Sequence, residues 1–209
     1  MSDAGVRRVF QMTPTDPRMV TGRDVVSGVD LTGEEYVIRQ SLVRNKYAVE
    51  DATGGVVLRG KQKLLRMKEQ FPFVDADGTE VFTVRAQNVF DVAGGYTLED
   101  AATGEAFAVV ERAFTLFKHT YRVRSPDGEL WATIESEDAL VMALKSFSAV
   151  FGLIPHEYSV TDADGTRIGE IAERFSIRDV YDVTIGDTGD APREAIIAAA
   201  VAIDALEGN

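Results

Sequence analysis

A chain of 209 residues without cysteine has neither disulfides nor thiol chemistry, and its length allows one large domain or two small ones. Its 45% hydrophobic content places it among globular proteins, and its net charge of −12 argues against a nucleic-acid binder, which carries a basic excess. Arginine far outnumbers lysine; such an acid-rich, lysine-poor surface suits a high-salt cytoplasm, where the Debye length falls to ~3 Å and carboxylate repulsion is screened.

Residues 1–33 are turn-rich and weakly patterned, which predicts an arm lying on the domain that follows. They lack the roughly 7–15-residue apolar core of a signal peptide. No apolar run reaches the ~18–20 residues that span a bilayer. The expectation is a soluble, cytoplasmic protein with no transmembrane segment.

From residue 34 a phrase recurs: aromatic, x, apolar, x, Asp or Ser, then a turn with glycine. It reads YAVEDATG from Tyr47, FPFVDADG from Phe71, YTLEDAATG from Tyr96, YRVRSPDG from Tyr121 and YSVTDADG from Tyr158. Apolar and polar residues alternate with period two, as in a half-buried strand. Each phrase then reaches Asp-type turn chemistry with glycine placed for positive φ. A second strand follows each time, as VVLR, EVFTV, AFAVV, LWATI and RIGEI. Five hairpins result. The links ERAFTLFKHTYRV and ERFSIRDVYDV keep the same alternation, so a sandwich or barrel is expected.

The first four phrases start 24 or 25 residues apart, and SEDALVMALKSFSAVFGLIP delays the fifth. With Ser136 as N-cap, Glu137 and Asp138 in the first turn, and Gly152 and Pro155 as stops, this predicts a helix near 137–150.

The chain closes on PREAIIAAAVAIDALEGN, where only Asp204 is polar between Ala195 and Leu206. Asp190 as cap, Pro192 in the first turn and Gly208 past the end predict a helix over 192–206. A helix apolar on every face belongs in a core or a membrane, and this one is too short to span. Rich in alanine, it is narrow enough to thread a closed sheet and fill it. Asp204 would then be a buried acid in need of a partner.

A barrel wrapped around a hydrophobic C-terminal helix resembles the tubby C-terminal domain and its relatives, and more specifically the LURP-one-related family. The resemblance lies in YVIRQSLVRNKYAVED (Tyr36–Asp51), LRGKQKLLRMKEQFPFVDADG (Leu58–Gly78), HEYSVTDADGTRIGEI and AIIAAAVAIDALEGN, over residues 34 to 206. It implies a mostly β fold: a closed antiparallel barrel of twelve strands around the last helix, spanning residues 34–209 after the arm. Phospholipid scramblases are distant relatives by the same resemblance. This chain lacks their Pro-rich arm and cysteine cluster, so scrambling is not carried over.

Enzyme motifs are missing: there is no G-x-S-x-G, H-E-x-x-H, P-loop or G-x-G-x-x-G. His119 and His156 offer few candidates for a zinc site or a triad, and each reads better as a surface or strand residue. The two DADG turns fail as calcium loops. In that register Phe73, Val84, Val160 and Ile171 would occupy positions that require carboxylates. No catalytic residue, metal or cofactor is therefore expected.

One stretch stands against the acidic background: Arg59, Lys61, Lys63, Arg66 and Lys68. It is either a phosphate-gripping patch for anionic lipid headgroups, as tubby-type domains use for phosphoinositides, or a solvated strand face. Arg59, Lys61 and Lys63 share one face at period two, whereas Arg66 and Lys68 switch parity. The expected function is a non-enzymatic binding or scaffold module with a protein partner. Peripheral binding of anionic lipid is the alternative, and a hydrolase in the barrel mouth is the third class.

Overall fold

The computed structural model describes residues 26–41, 46–61, 70–86, 95–114, 119–137, 157–174 and 180–207. The strands are β1 (Glu35–Ser41), β2 (Lys46–Asp51), β3 (Val56–Lys61), β4 (Gln70–Val74), β5 (Glu80–Ala86) and β6 (Gly95–Asp100), then β7 (Ala106–Phe114), β8 (His119–Arg124), β9 (Leu130–Ser136), β10 (Glu157–Asp162), β11 (Arg167–Arg174) and β12 (Val180–Ile185). Each pairs antiparallel with its sequence neighbours, and β1 meets β12 to close the barrel. One helix, α1 (Arg193–Glu207), follows.

Alternation explains which side chains point inward. Tyr36 and Ile38 of β1, Tyr47 and Val49 of β2, Tyr121 and Val123 of β8, and Ala132 and Ile134 of β9 are all buried. The opposite parity carries charge, as in the cross-strand pairs Arg39–Glu50, Arg85–Glu99, Arg124–Glu111 and Arg174–Asp182. Exposed pairs of this kind stabilise by about 0–1 kcal/mol each, so the interior holds the fold together.

That interior is α1. From Ala195 to Ile203 no residue is more than 3% exposed, and all nine belong to the core cluster with the inward strand residues. Alanines let the strand side chains approach the helix axis, and Ile196, Ile197, Val201 and Ile203 each add about 1.5–3 kcal/mol of burial. The helix lies within one residue of its sequence-read bounds.

The five tight turns share one chemistry. Asp51 Oδ1 accepts the N–H of Thr53 at 2.8 Å and of Gly55 at 2.9 Å. Asp75 does the same for Asp77 and Thr79, and Asp162 for Asp164 and Thr166. The glycine in each turn adopts positive φ, 83° at Gly54 and 92° at Gly78, a conformation other residues adopt only with strain. In an up-and-down barrel all such hairpin tips lie at one end. There β1 begins, β12 ends and α1 enters.

One local expectation differs, at the entry to the last helix. Ser136 ends β9, and its Oγ accepts the His119 N–H at 3.1 Å. The Glu137 N–H then donates to Glu157 O, extending the β9–β10 pairing by a residue. The turn into α1 is built by Thr188, whose Oγ1 donates to Ala191 O, and by Gly189 at φ 59°, rather than by Asp190. The helix expected at 137–150, His156, Lys63, Arg66, Lys68 and the side chain of Asp204 lie outside the described residues.

Candidate functional site

Residues 26–34, the described part of the arm, run along the hairpin end. The Ser27 N–H donates to Asp100 Oδ2 at the β6–β7 turn, and Val26 and Leu31 are buried in the core. Arg193, the first residue of α1, holds the other stretch: its guanidinium donates to Thr32 O at 2.9 Å and to Gly186 O at 2.7 Å. The arm is thus anchored at both ends across the rim.

Between the arm and the tips of the β2–β3 and β4–β5 hairpins lies a cleft of about 470 Å³. Six carboxylates line it: Asp30, Glu34, Glu35, Asp51, Asp75 and Asp77. Val56 and Val57 supply an apolar wall, and Tyr36 closes its inner side. Burial pushes the Tyr36 phenol up to about 12, while its oxygen accepts the Gly33 N–H at 2.8 Å.

The six acids divide by duty. The Thr53 hydroxyl, with the backbone N–H groups of its turn, holds Asp51 below the usual carboxylate range. The Thr79 and Asp77 N–H groups do the same for Asp75. Asp30 accepts from the N–H and hydroxyl of Thr32. Glu34, Glu35 and Asp77 key no turn in this way. They are the side chains available to a ligand.

A seventh acid lies near the cleft. Glu194, next to Arg193 on α1, is 3% exposed, and its Oε1 has no hydrogen-bond partner. Burial raises its pKa, with the nearby Asp30 charge adding to the effect.

Of the basic stretch, Arg59 and Lys61 lie among the described residues. Arg59 is exposed on β3, and its guanidinium donates to Ala76 O across the β3–β4 seam. Lys61 ends β3 at the end opposite the hairpin tips. The structure therefore gives Arg59 a local partner on the rim and places Lys61 apart from the six acids. The sequence reading did not find those acids, because each is one carboxylate in a chain full of them. The usable signal was topological: the EDATG and DADG tips must share one end of the barrel.

Chemically, the cleft concentrates negative charge over an apolar wall. Its described lining has no histidine, serine or lysine. Among the described residues no three His, Asp or Glu side chains converge to hold a metal ion, and no helix is long and apolar enough to cross a membrane.

Among curated proteins none matches this chain. A crystal structure of an Arabidopsis thaliana protein is similar at a TM-score of 0.52 and 14% identity, over 86% of this chain and 96% of that one. At that identity the likeness shows the barrel fold alone. The family model described as LURP-one-related matches residues 29–204, from the anchored arm to the last turns of α1, and the chain belongs to the LURP-one-related family.

Proposed function

We propose that the chain is a non-enzymatic binding module that engages a cationic segment of a partner protein through the acidic cleft at the hairpin end. The observation that carries this is the packing of α1. Buried residues from Ala195 to Ile203 occupy the barrel interior, and among the described residues the hairpin-end rim offers a concave surface for a ligand. Six carboxylates in one cleft raise the local concentration of cations and speed their association. The two cleft hydroxyls that lie beside carboxylates, Thr32 on Asp30 and Thr53 on Asp51, sit in local turns whose backbone the same carboxylates hold, which supports a binding role over a hydrolytic one.

A second reading, peripheral binding of anionic lipid through Arg59, Lys61, Lys63, Arg66 and Lys68, draws support from charge segregation. Lys61 leaves the barrel at the end away from the acids, where their repulsion of a phosphate surface is weakest. Two probes separate the readings at about 0.1 M salt: hexalysine in solution, and phosphatidylserine vesicles. The first reading expects hexalysine to bind with an affinity that falls steeply as salt rises, and the protein not to sediment with vesicles. Vesicle binding abolished by Arg59→Ser, Lys61→Ser and Lys63→Ser together, with hexalysine ignored, favours lipid.

A further inference from the structure

The barrel has one weak seam. Among the described residues every other neighbouring strand pair is registered through five or six residues, whereas β3 and β4 share one registered pair, Arg59↔Val74. Continued toward the hairpin tips, that register would set Leu58 opposite Asp75 and Val57 opposite Ala76. The chains part there instead, and Val56, Val57, Asp75 and Ala76 line the cleft between them.

Much of the β4 backbone at this gap is already engaged. The Asp75 N–H donates to Thr79 O and its carbonyl accepts the Gly78 N–H, both within the hairpin. The Ala76 carbonyl takes the Arg59 guanidinium. The edge of β3 from Val56 to Leu58 thus finds no ladder partner on the β4 side among the described residues. An open strand edge is a template for another strand, and natural proteins usually cover or blunt it.

We propose that this edge accepts a short extended segment of a basic partner protein as an added strand. The inference rests on the binding-module reading and specifies its mode. Backbone pairing gives such a contact its affinity, and alternate side chains give it specificity. Here one face of the added strand would meet half-buried Val56 and Val57, and the other would meet Glu34, Glu35 and Asp77. The matching segment alternates apolar with Lys or Arg. Three residues of free edge correspond to about 10 Å of added strand.

The test compares two fluorescent peptides of equal charge, Lys-Val-Lys-Val-Lys and the same peptide N-methylated at every residue, so that neither of its edges can donate to a ladder. Binding is read by anisotropy, and amide hydrogen exchange is followed at residues 56–58 of the full chain. The expected result is at least about tenfold tighter binding of the unmethylated peptide, with exchange slowed at those amides that are unprotected in the free protein. Equal affinities overturn strand addition and leave a purely electrostatic cleft. Binding by neither peptide overturns both strand addition and the cationic reading. Protection of residues 56–58 by phosphatidylserine vesicles instead of peptide overturns it in favour of lipid.

Discussion

Asp100, at the end of β6, accepts a hydrogen bond from the backbone N–H of Ser27, 73 residues earlier in the chain. Its other oxygen takes the N–H groups of Ala102 and Thr103, each at 2.8 Å. One carboxylate therefore closes the β6–β7 turn and pins the arm that walls the cleft. Burial opposes its ionisation, but the Ser27, Thr103 and Ala102 donors outweigh burial and hold it below the usual Asp range. Asp100→Ala leaves these N–H groups without their acceptor and is expected to cost about 2–4 kcal/mol. A folded-state value below the unfolded one means stability present above the unfolded pKa of ~3.9 and lost as pH falls through the folded value. The gap between wild type and Asp100→Ala in thermal unfolding should therefore be full at neutral pH and shrink in acid.

Glu194 carries the opposite sign. Its raised pKa means that the folded chain keeps a proton which the unfolded chain releases near pH ~4.3. Its contribution is most favourable below that pH and declines as pH rises through the folded value. Glu194→Gln cannot ionise, so it should gain on wild type as pH rises from about 4 to about 7. Melting curves at a series of pH values measure the gain; a constant offset contradicts this account of the buried carboxyl.

Ala199 sits at the middle of the buried stretch of α1 and is fully inaccessible. Ala199→Arg puts a charge and a long side chain where strand residues already pack, and several kcal/mol are expected to be lost. The variant should fail to unfold cooperatively. A soluble, cooperative Ala199→Arg protein contradicts the filled-barrel architecture.

The charge of −12 and the scarcity of lysine predict that melting temperature climbs from about 0.1 M to above ~1 M KCl as carboxylate repulsion is screened. An osmotically matched sucrose series is the control, since sucrose also favours burial. Equal rises in both series rule out screening as the cause.

The barrel was legible because its signals are contiguous in sequence. Each Asp-to-Gly turn binds its own backbone, so YAVEDATG or YSVTDADG specifies a hairpin without help from the rest of the chain. The all-round apolarity of residues 195–203 likewise needed no partner to be read. The cleft was hidden for the converse reason. Asp30, Asp51 and Asp77 come from separate segments and meet only once β1 closes on β12 and the arm is pinned at Ser27 and Thr32. Lys61 and its neighbours stood out by contrast with an acidic background, which is a property of composition rather than of position. Ser136 ends a strand, and its hydroxyl accepts the His119 N–H of β8, a long-range contact that its local sequence does not announce.

If the acidic cleft is the binding surface, hexalysine titrated at about 0.1 M salt should distinguish wild type from one of two triple variants. One variant, Glu34→Gln with Glu35→Gln and Asp77→Asn, neutralises the cleft acids that key no turn. The other, Glu105→Gln with Asp127→Asn and Glu129→Gln, removes the same charge from exposed tips of other hairpins at the same end. The cleft variant should lose at least about tenfold in affinity while the control variant stays close to wild type. Equal losses in the two variants, or none in either, would contradict binding at the cleft.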